Sequence, residues 1–226
     1  MTGDPVRQSQ LLLARLVRPG PTPGTRLDDM DEQQREQVFA VGAGQVASLS
    51  ERLKAQTGFE AAGARVLDYG CGVGRTAVAF AQSAEHVYGL DISQSVLAEA
   101  ARYAEHANLT NVEWMDAGRL GELAGQYDLV VSFYVLQHIP SREGERIFET
   151  LVRGLRPRGA GAIHIALRPS HPTASRNYLY RLMHTYSLDR IGRILGDLGV
   201  MEWHARFHPK PKGQVHEDVT LIFRKD

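Results

Sequence analysis

Cysteine is nearly absent: Cys71 is the only thiol in 226 residues. No intrachain disulfide can staple the fold, and the composition suits a reducing compartment. A surplus of either charge is missing too. Twenty-six basic residues offset twenty-six acidic ones and the sequence pI is near 7.1, which removes the global field that draws in nucleic acid or anionic membrane. Long apolar runs are also lacking. Leu11 to Val17 is interrupted by Arg15 and is shorter than a signal-peptide core with its cleavage site, and nothing else approaches the ~20 residues of a membrane span. These absences lead to the expectation of a cytoplasmic protein, monomer or homodimer, whose partner is a small molecule rather than nucleic acid or membrane.

What remains is ordinary core-forming material, 43% hydrophobic and 23% charged, enough for one domain without staples. Residues 1–30 read as a flexible N-terminal arm, because "RPGPTPGTR" denies both helix and strand pairing. Arg7, Arg15, Arg18 and Arg26 make the arm locally basic, but no aromatics interleave with those charges as they do in single-strand nucleic-acid grooves. A single domain is expected over residues 31–226. It opens with a helix over 31–58, where Val38, Val41, Gln45, Leu49 and Leu53 recur at three- and four-residue steps and Gly58 offers a stop.

Beyond Gly58, short β-rich runs alternate with helical stretches. The runs are "RVLDYG", "HVYGLD", "NVEWMD", "YDLVVSF" and "GAIHIAL". Helices are expected over Thr76–Ser83, Val96–His106 and Arg142–Leu155, and a longer helical region ends near Leu198. Five strands in that rhythm predict an α/β fold with a doubly wound parallel sheet and helices on both faces. "VMEWHARF" and "DVTLIFR" follow with no helix between them, which predicts a hairpin and one antiparallel strand in or beside the sheet.

"VLDYGCGVGR", Val66 to Arg75, follows a predicted strand and precedes a predicted helix beginning near Val73, the context a nucleotide-binding glycine loop requires. Gly70, Gly72 and Gly74 permit a tight turn and close backbone approach to a ligand. Asp91 ends the next strand about twenty residues on, where a carboxylate can accept both hydroxyls of a ribose. Asp116 ends the third strand, where it can accept from an exocyclic amine such as that of adenine. Arg75 occupies the position where a dinucleotide fingerprint wants its last glycine, which disfavours a nicotinamide cofactor.

Together these segments resemble the class I S-adenosylmethionine-dependent methyltransferases. "VLDYGCGVGR" looks like their first motif, "VYGLDIS" their second, "WMDAG" their adenine segment, "YDLVVSFYVLQHIP" their fourth-strand motif and "LRPRGAGAIHIA" their turn into the fifth strand, with Arg158 where the first glycine usually stands. The resemblance implies a Rossmann-like, seven-stranded sheet with a final antiparallel strand, and S-adenosyl-L-methionine as cofactor. It further implies that Asp68 and the Gly70, Cys71, Gly72, Gly74 and Arg75 segment lie by the methionine and ribose portions. Asp91 would bind ribose hydroxyls, Ile92 would pack on adenine, Asp116 with Ala117 would hold its amino group, and Phe133 would line the sulfonium side. Phe39 and Gly42 are similar to an F-x-x-G element of a helix that closes over the cofactor; an amphipathic helix packing on the sheet is the alternative for Phe39. Cys71 reads as a small packing residue rather than a nucleophile.

Absences narrow the class again. The (Asn/Asp)-Pro-Pro-(Tyr/Phe) tetrapeptide of amino-methylating enzymes is replaced by Ser132, Phe133, Tyr134 and Val135, and no Pro-Cys follows the fourth strand. The ends of the fourth and fifth strands, Ser132-Phe133 and Leu167-Arg168, lack the acidic and amide ligands of magnesium-dependent relatives, so no metal is expected. The expected reaction is methyl transfer to a small-molecule hydroxyl, on a natural-product intermediate or a sugar. The alternative is a catalytically silent relative that binds the nucleoside as a regulatory or partner module. A hydroxyl acceptor benefits from a general base, for which His138 in "LQHIP" is the first candidate and His171 in "RPSHPT" the second; His138 could instead cap the next helix or orient its loop. His164, between two isoleucines in a strand, reads as a satisfied structural residue. Residues 168–186 are long enough for a lid, with Arg168, Arg176, Tyr178 and Tyr180 as substrate contacts, the alternative being a helix packed on the domain.

Overall fold

The computed structural model describes residues 31–167, 183–209 and 217–226; the expected arm, His171, and the substrate contacts Arg168, Arg176, Tyr178 and Tyr180 lie outside the described residues. Helix α1 spans Glu32–Thr57. Asp31 starts it with a reciprocal cap, its carboxylate accepting from Gln34 N at 2.8 Å while the Gln34 side chain accepts from Asp31 N at 3.0 Å. Gly58, at φ 66°, ends it in the left-handed conformation a β-carbon resists. Val46, Leu49 and Leu53 are buried, whereas Val41, expected on the same stripe, is 45% exposed. The reason is a cavity beneath that turn of α1, described below.

The sheet is doubly wound as the strand–helix rhythm predicts. Strands β1 (Arg65–Tyr69), β2 (His86–Asp91), β3 (Val112–Asp116), β4 (Tyr127–Ser132) and β5 (Leu155–Leu167) run parallel. Strands β6 (Trp203–Phe207) and β7 (Glu217–Arg224) form the expected hairpin, and the order is β3-β2-β1-β4-β5-β7-β6. The final strand inserts antiparallel between β5 and β6. Strand β5 starts earlier than expected: Tyr127 pairs with Leu155 but Leu129 with Ala160, so the chain bulges between them. Arg158 turns that bulge at φ 63°, a left-handed conformation that costs a side-chain-bearing residue about 1 kcal/mol.

Alternation along the strands sorts the side chains onto two faces. Leu67, Val130, Ile163, Leu221 and Phe223 pack on one face under α4 (Ser141–Arg153) and α5 (Leu188–Asp197). Val66, Leu129, Val131, Ala162 and Ile222 pack on the other under α1 and α2 (Arg75–Ala81). Helix α3 (Gln94–His106) joins this second face through Tyr103 and Trp114. The α1-side face is apolar at its centre but changes character towards the carboxyl ends of the parallel strands, where the same alternation brings up His164, Thr220, Asp218, Arg206 and His208. That gradient places polar chemistry at one end of an otherwise greasy face. No helix among the described residues is long and apolar enough to cross a membrane.

Candidate active site

The glycines do what their positions predict, and their neighbours show why. Gly70, Gly72 and Gly74 all have positive φ, at 72°, 57° and 79°, a region that favours glycine. A β-carbon on Gly74 would also sit 2.6 Å from the Trp114 ring. The loop is pinned to the neighbouring strand: Gly70 N and Cys71 N both donate to Leu90 O, at 2.7 and 2.9 Å. Helix α2 begins at Arg75, between the expected Val73 and Thr76, because left-handed Gly74 is its cap. With seven residues α2 is short, so the loop, rather than a long helix, shapes this wall. Cys71 is buried, and burial with Asp68 and Asp91 nearby pushes its thiol up; it is a packing residue.

Three carboxylates stand along the carboxyl ends of β1, β2 and β3. One Asp91 oxygen accepts from Gly72 N at 3.1 Å and the other from Ser93 N at 2.9 Å, so Asp91 ties the glycine loop to the turn after β2. Each oxygen keeps a second lone pair for a ligand hydroxyl. Asp116 pairs in register with Asp91 and accepts from Gly118 N at 2.8 Å and Gln94 Nε2 at 3.2 Å. Ile92 is partly buried beside Asp91, and Ala117 opens a 3₁₀ turn, Ala117–Leu123.

Asp68 is different. It is 3% exposed, and its Oδ2 has no hydrogen-bond partner. Burial first, then Asp91, push its carboxyl up to about 7, against the pull of the Ala77 N–H and Arg75. A buried acid with one orphaned oxygen is costly by itself and fits a cationic or hydrogen-donating ligand at that atom.

A cavity of about 480 Å³ opens between α1 and the carboxyl end of the sheet. Arg75, Thr76, Phe133 and Tyr134 form its wall near the glycine loop, and Arg52, Arg206 and His208 form part of its remainder. Phe133 is therefore at the cavity wall. Gly42 seats α1 over the loop, since a β-carbon there would lie 2.6 Å from Arg75 O; the side chain of Phe39, in the same helix, lies outside the described residues.

A family model described as a methyltransferase domain matches residues 66–159. The chain is 37% identical over 82 residues to a ubiquinone biosynthesis O-methyltransferase of Acinetobacter baumannii, 35% of each chain. It is 36% identical over 93 residues to a magnesium-protoporphyrin O-methyltransferase of Synechocystis, 39% of each. Crystal structures of the Synechocystis magnesium protoporphyrin IX methyltransferase superpose on it. One, with bound SAH, has a TM-score of 0.63 at 25% identity, covering 88% of this chain and 89% of that one. The other, with bound SAM, has a TM-score of 0.68 at 23% identity over the whole of both chains. Together these likenesses support a class I S-adenosylmethionine-dependent methyltransferase. The matched stretch spans little more than a third of the length of those curated relatives.

The 3₁₀ turn Leu136–His138 follows β4. His138 does not cap α4, whose N-cap Pro140 has no side-chain partner. It is partly buried, outside the residues that line the cavity, and burial together with His184 holds its imidazole below the usual histidine range. The turn is fastened from behind. His184 N donates to Gln137 O at 2.8 Å, and the Tyr186 hydroxyl lies 2.7 Å from Leu136 O and 3.0 Å from Ile139 O. Tyr186→Phe should therefore cost about 1–3 kcal/mol, seen as a lower urea midpoint with unchanged slope; an unshifted midpoint would show that the turn is not held there.

His164 corrects an expectation. It is 1% exposed, yet neither ring nitrogen makes a well-formed hydrogen bond, and Asp218 Oδ1 stands 3.5 Å from Nε2. Tyr134, at φ 61°, lays its ring 4.3 Å from that imidazole. Sequence reasoning also missed Arg52, Arg206 and His208. The signal for two of them was present: in "WHARFH" the polar residues His204, Arg206 and His208 recur with period two on one face.

Proposed function

We propose that this chain transfers the methyl group of S-adenosylmethionine to a hydroxyl of a small-molecule acceptor. The observation that carries the reading is Asp68, a buried carboxylate with an orphaned oxygen beside the glycine loop. When bound, S-adenosylmethionine supplies an electrophilic methyl group on a cationic sulfur. Asp91 and Asp116, at one level of the sheet, would hold a ribose and an adenine, and Asp68 and the Gly70–Arg75 loop the methionine portion. The O-methyltransferase activity named for both curated relatives supports an oxygen acceptor. The chain's own part is to exclude water and orient the acceptor in the cavity walled by Phe133 and Tyr134. That cavity counts against a silent relative, which has no need of an acceptor pocket.

We further propose His138 as the base on its position after β4 and its lowered pKa, which leaves a neutral proton acceptor at pH 7; it lies outside the described cavity lining, and unchanged turnover of His138→Ala over a range of pH would remove it from the mechanism. Residues 168–186 are proposed as the lid on their length and composition; 168–182 lie outside the described residues, and the described end, Tyr186, is anchored beside Leu167 at the carboxyl end of β5. The test is calorimetry with S-adenosylhomocysteine, followed by a methyl-labelled S-adenosylmethionine assay on a panel of phenols, sugars and amines. Binding with label on hydroxyl compounds is expected. Absence of binding, or label on amines alone, would overturn the reading.

A further inference from the structure

We propose that the Arg52–Arg206 end of the cavity recognises an anionic group, a carboxylate or phosphate, on the methyl acceptor; this rests on the methyl-transfer reading above. Gly42 of α1 lies on Arg75 at the glycine loop, and Arg52 is roughly 15 Å further along the same helix at 1.5 Å per residue. The cavity therefore has two ends. At the loop end Phe133 and Tyr134 face the reacting group. Away from the loop, Arg52 on α1 and Arg206 on β6 both line the cavity, Arg206 near enough to act on Arg52, while His208 lies between them and Tyr134, its ring and that of Tyr134 both standing against His164.

The charge balance there is one-sided. No carboxylate lines the cavity among the described residues, and none of Arg52, Arg75 or Arg206 forms an ion pair with a described acid. Glu51, outside the cavity lining, acts on Arg52, and Asp218 acts on His208. Burial first, then Arg206, lower the Arg52 pKa, and burial, His164 and Arg206 lower that of His208. Two like-charged guanidiniums, Arg52 half-buried and Arg206 exposed, thus share one wall, beside a His208 held towards its neutral form. Such an arrangement is unfavourable while empty and is relieved by a bound anion, which the planar guanidinium fork fits in bidentate fashion. Arg52 is already oriented, donating to Ser48 Oγ at 2.6 Å, and Gln45 and Thr220 add hydrogen-bonding wall.

The experiment uses the full chain saturated with S-adenosylhomocysteine and three probes of similar shape: 1-naphthoate, 1-naphthyl phosphate and neutral 1-naphthamide. At least one anion should raise the melting temperature and bind calorimetrically where the amide does not, and the better of the two names the acceptor's acid group. Arg52→Gln and Arg206→Gln should weaken the preferred anion at least about tenfold each. The same variants should melt no lower than wild type without probe, because a repulsion has been removed. No preference for an anion over the amide, or anion binding retained in both variants, overturns the proposal. Failure of wild type to bind S-adenosylhomocysteine would instead remove the cofactor reading, and the anion comparison, run without it, would still decide the charge preference.

Discussion

Asp91→Ala is expected to weaken S-adenosylhomocysteine binding by about 10²- to 10⁴-fold, the loss of two hydrogen bonds to a charged acceptor at about 1.5–3 kcal/mol each. The effect is large because Asp91 has two tasks. On the proposed function it accepts the ribose hydroxyls, and in the protein alone it already holds Gly72 N and Ser93 N. Its removal frees a loop whose three glycines all sit at positive φ and retain much freedom unless tethered. The substitution should therefore also lower stability by about 1–3 kcal/mol. Asp91→Asn separates the tasks, because its amide oxygen can keep one amide contact while the charge is gone; it should fall between wild type and alanine in affinity. Calorimetry checks the first effect and urea unfolding the second. Affinity within threefold of wild type for Asp91→Ala would sink the ribose assignment.

The second large effect concerns pH. Burial and Asp91 raise the Asp68 carboxyl from 3.8 to about 7 in the folded chain, so between about pH 4 and 7 the native state binds a proton the unfolded state has lost. Stability must then fall as pH rises through that window and level off above it. The full excursion is on the order of 4 kcal/mol at 1.36 kcal/mol per unit. Asp68→Asn should be the more stable protein at pH 8 and should lose this component of the pH slope. Urea midpoints of both proteins from pH 4 to 8 check it; parallel slopes would remove Asp68 from the account.

The same acid should couple to the ligand. A cationic group placed at its unpartnered Oδ2 favours the ionised form, so binding below pH 7 should release a proton and tighten as pH rises. Calorimetry of S-adenosylhomocysteine in two buffers of different ionisation enthalpy measures that proton, and Asp68→Asn should not release it.

Some of this was legible in particular residues. The glycine spacing, Asp91 and Asp116 could be read because each lies where a strand ends, and strand ends are marked by short apolar runs. Arg75 at the end of the motif was read as a spacing signal, yet its seat against Gly42 of α1 depends on a helix that reaches the loop only through the fold. His164 misled because its isoleucine neighbours mark the strand but not the partner opposite. Only the antiparallel insertion of β7 pairs His164 with Thr220 and brings Asp218 to its ring.

By itself the sequence determined the strand–helix alternation, the terminal hairpin and the placing of the glycine loop, Asp91 and Asp116 at strand ends, because those depend on local periodicity and on residues close along the chain. The tertiary structure alone decided the raised Asp68 and the cationic end of the cavity. Burial and like-charge crowding are set by groups far apart in sequence, here Arg52 on the first helix and Arg206 on the sixth strand, and no local pattern states which distant charges will share a wall.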